Sequence, residues 1–247
     1  RGEFKHPIFW ASIFSKSYKQ EFNVSEEDLA IVSVKNHKQA QKNPNALSKK
    51  TYSVKDVINS KKLTDDLRLL NCSRPCSGGA SIVLASEEIS KKITDTPVWI
   101  SGIGQKTTSA GFTKNESLFS MNSSKQASES ALKMANKNIS QVDVAEIHDA
   151  FSVCEPMALE AIGFTNQGEG MSLVKNLHET NNFKINSRGG LIGCGHPLGA
   201  TGISQTIEIV QQLQQSAERR QVDNPEIGLV HNMSAAATSS TVLVLEK

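Results

Sequence analysis

The chain has 247 residues, with 27 Lys and Arg against 25 Asp and Glu, a formal net charge of +2 and a mean hydropathy of −0.32. Hydrophobic residues at 38% and charged residues at 21% exclude a disordered chain. A near-neutral charge without long basic runs argues against nucleic acid as the main partner. Apolar runs such as Val242 to Leu245 are far short of the roughly 20 residues that cross a membrane, so no span is expected. Four cysteines in a chain this long do not build a disulfide framework, and no second Cys or His pair completes a zinc site with Cys72 and Cys76. No secretory leader opens the sequence, which points to a reducing compartment: the cytoplasm, or an organelle matrix in a eukaryote.

Residues 8–20 carry Trp10, Ile13, Phe14 and Tyr18 at helical spacing and predict a first helix. Ser25 with Asp28 opens a second, with Leu29, Val32 and His37 near one face. Gln41 to Lys50 is a loop, and Ser53 with Asp56 caps a short third helix. This first quarter is polar and short of core, and it reads as a lid or excursion. Gly78-Gly79-Ala80-Ser81 then leads into Ile82-Val83-Leu84-Ala85, expected as a buried strand, and Val98-Trp99-Ile100 is another. Ser123-x-x-Gln126 spells a capping box for a helix through Ala127, Ala131 and Ala135. Val142 to Ile147 is a strand running into His148, and Glu155 to Ile162 is a helix stopped by Gly163. An irregular stretch is expected from there to Gly189. A helix follows with Ile203, Ile207, Val210 and Leu213 on its apolar stripe, then two buried strands, Ile227 to Val230 and Thr241 to Leu245. Alternating strand and helix predicts a layered α/β fold.

Two blocks carry chemistry. Gly195-His196-Pro197-Leu198-Gly199-Ala200-Thr201-Gly202 holds a histidine on a glycine-flanked turn just ahead of a helix. Free N–H groups at that helix end would steady a thiolate or an enolate oxygen. The same spacing equally describes a capped turn whose histidine bonds the backbone. His148-Asp149-Ala150-Phe151 lies where an apolar strand gives way to a helix, the edge at which open α/β sheets place their sites. Two histidines at two such ends form a candidate donor pair for one carbonyl oxygen; the alternative for His148 is a buried histidine satisfied by the backbone.

These blocks, with Gly189-Gly190-Leu191, resemble the C-terminal half of a thiolase. The branch they look most like is that of sterol-carrier-protein-type thiolases and their archaeal and bacterial acetyl-CoA acetyltransferase-like relatives. Arg220 to Asn224, His231-Asn232, Asn36-His37 and Asn43-Pro44 fit the same branch, and Ser77-Gly78-Gly79-Ala80 is close to the family's Ser-Asp-Gly-Ala. The resemblance covers essentially the whole chain. It implies a layered α-β-α fold, with a helical loop region that cradles coenzyme A over 1–70, the last strand segment of the N-terminal thiolase half over 71–95, and a complete C-terminal half over 96–247. It implies that His196 and His148 are catalytic: His196 lowers the pKa of a nucleophilic cysteine and helps bind a thioester oxygen, and His148 supplies an oxyanion donor. It further implies coenzyme A or substrate contacts from Ser77, Gly78, Gly79, Asn232 and Ser234, with Lys49, Lys50, Lys55 and Arg68 near the phosphates. No metal and no tightly bound cofactor are implied. Coenzyme A thioester is the substrate, and the expected partners are the N-terminal thiolase half and further copies in a dimer or tetramer.

Three features depart from the family pattern. No cysteine stands in the context of the family nucleophile, which would come from outside this segment; Cys194, two residues before His196, is the nearest in sequence, and Cys72, Cys76 and Cys154 read as structural. Ala150 stands where the branch often has a second acid/base cysteine. Met233-Ser234-Ala235-Ala236-Ala237 replaces a glycine-rich loop, and its Cβ atoms restrict the backbone. The expected function is thiolase-type acyl transfer on acyl-CoA thioesters, placed in lipid metabolism. The alternatives are a thiolase-like scaffold subunit without acyl transfer and a thiolase-like carbon–carbon lyase.

Overall fold

In a computed structural model of the chain, residues 6–108 and 117–247 are described. The chain runs through α1 (Pro7–Phe22), α2 (Glu26–Ala40), α3 (Val54–Ile58), β1 (Lys62–Thr64), β2 (Leu67–Arg68), α4 (Glu87–Ile93), β3 (Trp99–Thr107), α5 (Asn122–Ala135), β4 (Val144–Glu146), α6 (Cys154–Ile162), α7 (Gly170–Glu179), α8 (Gly190–Cys194), α9 (Thr201–Leu213), β5 (Ile227–Met233) and β6 (Ser239–Glu246). β1 and β2 pair as a small antiparallel ribbon. The other four strands form one sheet in the order β3-β6-β5-β4, antiparallel except for the parallel β5-β4 pair.

Strand periodicity divides that sheet into two faces. Leu229, Val242 and Val244 join Ala127 and Ala131 of α5 in the main core, while their neighbours Val230 and Leu245 join Val144, Ile209 and Leu213 under α9. Helix, sheet, helix is therefore the layering, as the alternation predicts. α5 lies very close to β3: a Cβ built on Gly104 would stand 1.9 Å from the Ala127 carbonyl oxygen. The small face of α5 and the glycine are one device, since only their combination permits that approach.

The helices of the first quarter are not a polar lid. Trp10, Phe14, Tyr18, Leu29 and Val32 are buried in the same core as the sheet, and Trp10 meets Phe151 edge to face at 5.0 Å. Capping boxes at Ser25–Asp28 and Ser53–Asp56 start α2 and α3 as the sequence predicts.

Four other expectations give way. Ile82 to Ala85 forms no strand, and Val83 and Leu84 are exposed; no described segment pairs with them, and an extended segment without a ladder partner gains nothing. Ser123 and Gln126 make no capping box: Met121 occupies the cap of α5, and the Ser123 hydroxyl donates to the Ala237 carbonyl at 2.6 Å. The stretch before Gly189 contains α7, whose Met171, Val174 and Leu177 pack in the core. On α9 the buried residues include Gln205, Glu208 and Gln212; of the expected stripe Leu213 is buried, whereas Ile203, Ile207 and Val210 are half-buried. That inversion is a polar-bond effect, since Glu208 holds Arg220 at 3.0 Å and Gln212 donates to the Arg220 carbonyl at 2.9 Å.

His231 on β5 is fully buried against α5, with Nε2 at 2.9 Å from the Ser124 hydroxyl. Burial pushes its pKa down to about 4. A histidine held neutral in the fold stabilises fully above its ordinary value of 6.5, and that contribution is lost as the pH falls towards 4. Two outcomes are expected. His231→Gln should be destabilising at pH 7.5, with a gap to the native protein that narrows between pH 6.5 and 4 when urea unfolding is followed across that range; a constant gap would remove the proton linkage. Gly104→Ala should lower stability by about 3 kcal/mol through backbone overpacking, while Gly79→Ala, with nothing within 4 Å of its Cβ, should be nearly silent in the same melts.

Candidate active site

His148 follows β4 after Ile147, and its neighbour Asp149 fixes the turn. The buried Asp149 carboxylate accepts the Leu191 amide at 2.6 Å, the Ile192 amide at 3.3 Å and the Asn36 side-chain amide at 2.7 Å. Those amides belong to the first turn of α8, so the carboxylate caps that helix. Gly190, at φ +58°, is required there, because a Cβ on it would stand 2.2 Å from Asp149 Oδ2. Asn36 also donates to Glu155 at 2.8 Å, and Lys35 pairs with Glu155 at 2.9 Å. Burial and the Glu155 carboxylate push the Asp149 pKa up, and the Leu191 and Ile192 amides oppose that shift by bonding the charged form.

His196 is held from three directions. Its amide donates to the Arg74 carbonyl at 2.9 Å, its own carbonyl accepts from Cys76, and Nδ1 lies 2.8 Å from the hydroxyl of Thr201, the first residue of α9. A short 3₁₀ turn, Leu198–Ala200, separates histidine from helix, so the tie is a side chain rather than the helix end itself. The two imidazoles meet edge to face, ring centres 5.1 Å apart. Burial and the nearby His196 hold His148 well below the usual histidine pKa, and burial and the Arg188 guanidinium pull His196 down as well. Both rings are therefore neutral at physiological pH.

The pair opens on a cavity of about 540 Å³ whose walls include Pro7, Trp10, Leu69, Phe151 and Met233, with Ala150, Cys72 and Ser234 also on the lining. The two neutral imidazoles thus sit at the wall of an apolar space, where a hydrogen bond to an oxygen atom is stronger than in water. Asn232 lies behind His148, with Nδ2 at 3.0 Å from His148 Nδ1 and at 2.8 Å from Gln205 Oε1.

The structure thus brings together His148, His196, Asn232 and Ser234 of the residues predicted from sequence. Ser77, Gly78 and Gly79 are exposed in an irregular segment off the cavity lining; a Cβ built on Gly78 would stand 3.0 Å from Pro197 of the turn. Arg68 gives its guanidinium to Glu26 at 2.6 Å and Lys49 bonds the Pro44 carbonyl at 2.9 Å, whereas Lys50 and Lys55 are exposed. Cys194 faces away from the pair, donating to the Arg188 carbonyl at 2.9 Å, and its thiol is pushed up to about 12 by burial. Burial likewise raises Cys72 to about 12 and raises Cys154 further. No described group of three or more His, Cys, Asp and Glu side chains is arranged to hold a metal ion, and no described helix is long and apolar enough to cross a membrane. Ala236 and Ala237 adopt φ of 56° and 51°, so alanine stands where the left-handed backbone favours glycine.

The sequence reading missed Thr201, Gln205 and Asn36 as parts of this site. Thr201 and Gln205 are one helical turn apart on the same face, a spacing that signals shared work.

The family profile described as thiolase C-terminal domain-like matches residues 104–247. An acetyl-CoA acetyltransferase of Methanothermobacter thermautotrophicus is 33% identical over 238 residues, covering 96% of this chain and 62% of that protein. Sterol carrier protein 2 of Bos taurus is 34% identical over 225 residues, covering 88% of this chain and 41% of that protein. The chain therefore spans less than two thirds of the length of these relatives. Among solved structures, the Ltp2-ChsH2(DUF35) aldolase superposes with a TM-score of 0.86 at 20% identity, covering 99% of this chain and 64% of that one. The Bacillus anthracis acetyl-CoA acetyltransferase superposes with a TM-score of 0.67 at 17% identity, covering 96% and 59%. With a matching profile over more than half its length, the chain belongs to the thiolase family.

Proposed function

We propose that this chain supplies the carbonyl-stabilising part of a thiolase-type acyltransferase acting on acyl-CoA thioesters. The observation that carries the reading is the pair of neutral imidazoles, 5.1 Å apart between ring centres, at the wall of an apolar cavity. A thioester carbonyl set between them would receive an N–H from His148 and, once His196 holds a proton on Nε2, one from His196. As the carbon is attacked, or as an α-proton is removed, charge grows on that oxygen, and fixed donors in a dry site favour the charged form over the ground state.

In this reading the nucleophilic cysteine comes from the N-terminal half of a thiolase, on a longer chain or a companion subunit. Its thiol proton passes to a bare Nε2 of His196 as the sulfur attacks the thioester carbon, the bond to the coenzyme A sulfur breaks, and His196 hands the same proton to the leaving coenzyme A thiolate. The raised thiols of Cys72, Cys154 and Cys194 fit none of them to that role. Coenzyme A contacts are proposed along Ser77, Gly78 and Gly79, with exposed Lys50 and Lys55 towards the phosphates and assembly as a dimer or tetramer.

One observation favours a second reading. Ala150 lines the cavity where the resemblance places an acid/base cysteine, and no described thiol there is activated. A carbon–carbon lyase needs neither thiol: the 3-hydroxyl of a 3-hydroxyacyl thioester loses its proton as the C2–C3 bond breaks, giving a carbonyl product and the same stabilised enolate, which then takes up a proton.

Turnover and acyl-enzyme trapping on the full-length protein separate the two. In acyl transfer, rapid quench with a short acyl-CoA should trap an acylated cysteine. In the lyase, 3-hydroxyacyl-CoA should be cleaved with no adduct. In either case His196→Ala and His148→Ala should each lower turnover about 10²–10³-fold, the effect of removing one oxyanion donor. The melting temperature should scarcely move in His196→Ala. For acyl transfer, His196→Ala should also suppress the acylation burst, whereas His148→Ala should spare it more. Near-normal turnover in His196→Ala with unchanged melting would make His196 a structural residue.

A further inference from the structure

Gln205 is fully buried on α9 and lines no part of the cavity, so the chemistry proposed above makes no direct use of it. Its amide is nevertheless fixed at both ends. Nε2 donates to the main-chain carbonyl of His231 at 3.3 Å, and a carbonyl only accepts. Oε1 must then point the other way, and it lies 2.8 Å from Asn232 Nδ2. The same Nδ2 lies 3.0 Å from His148 Nδ1. An amide NH₂ only donates, so the lone pair of the imidazole faces it and the ring proton sits on Nε2, the nitrogen left for a ligand.

Asn232 by itself does not decide this. Turned over, it would present Oδ1 to His148, accept from an Nδ1–H, and leave a bare Nε2 lone pair facing any carbonyl oxygen in the cavity. What forbids the turned state is Gln205, whose own orientation is set by a backbone carbonyl within the β5 ladder, where His231 stands opposite Val242. From this geometry we propose that Gln205 is a positioning residue that locks His148, through Asn232, as the Nε2–H tautomer. The inference rests on the reading of His148 as an oxyanion donor, and it identifies the residue that makes the donor point the right way.

The tautomer is directly observable. In the full-length protein, long-range ¹H–¹⁵N correlation of histidine rings, with the His148 signals assigned by their loss in His148→Gln, should show a protonated Nε2 and a bare Nδ1. Gln205→Leu releases the Asn232 amide, and the His148 signals should move towards the Nδ1–H pattern with turnover reduced about 10- to 100-fold. Gln205→Glu keeps an acceptor towards Asn232 and, protonated as burial favours, a donor towards His231; it should retain the Nε2–H pattern and turnover within about tenfold of native. Asn232→Asp keeps every residue of α9 and should put a proton on Nδ1, since its carboxylate accepts from Nδ1–H. This variant keeps the test alive should Gln205→Leu fail to fold.

An Nδ1–H pattern in the native protein overturns the proposal. So does an Nε2–H pattern that survives both Gln205→Leu and Asn232→Asp, even with turnover lost, because that loss would be structural. A tautomer that moves as stated while turnover stays native supports the relay and overturns the donor reading instead.

Discussion

A carboxylate buried among apolar groups has to be surrounded by donors, and Asp149 meets that condition by drawing four segments of chain to one point. Two N–H groups come from the first turn of α8, one amide from Asn36 of α2, and Asn36 in turn bonds Glu155 of α6, which Lys35 neutralises. Asn186 adds a further tie, donating to Glu155 at 2.8 Å while accepting the Ile147 amide at 2.7 Å. Each group would be costly to bury alone, and together they leave little freedom for the turn after β4. His148 is the residue between Ile147 and Asp149, so its place follows from theirs. The helices at the start of the chain are inseparable from the site for the same reason.

A second polar assembly fixes the other histidine and joins it to the first. Arg188 bonds Glu146, the last residue of β4, at 2.9 Å and Ser204 of α9 at 2.9 Å. Ser204 donates to the carbonyl of Thr201, whose hydroxyl holds His196. One guanidinium thus spans the strand that carries His148 and the helix that carries the tether of His196. It is also a positive charge close to both rings, and it adds to burial in keeping them neutral. The same side chain thus helps to fix both geometry and protonation state.

Polar work explains the least expected feature of the architecture, the inward-facing glutamines and glutamate of α9. An amphipathic helix normally turns its apolar stripe to the core. Here Gln205, Glu208 and Gln212 face inward because backbone carbonyls and Arg220 need partners there, and Ile209 and Leu213 supply the apolar contact with the sheet. The loop after β5 carries a related compromise. Ala236 and Ala237 hold left-handed backbone next to the cavity at a cost of about 1–2 kcal/mol each. Both are buried in the main core, which offsets part of it.

Much of this protein was legible in the order of its residues. Caps at Ser25 and Ser53, the stop at Gly163, the period-two strands near the end, and the glycine-flanked His196 and strand-end His148 are local signals, each set by side-chain chemistry within a few residues. Those signals suffice for the layered α/β fold and for the histidine pair. The tertiary structure decided what depends on partners distant in sequence. Ile82 to Ala85 has strand composition, but a strand is a property of a pair, and no described segment meets it. Ser123 has the form of a cap, but the Ala237 carbonyl, 114 positions away, takes its hydroxyl. Arg188 and Gln205 look like surface residues in one dimension and become organising residues only when buried carboxylates and carbonyls close around them. Local propensity is written in neighbours along the chain, whereas the satisfaction of buried polar groups is settled only in three dimensions.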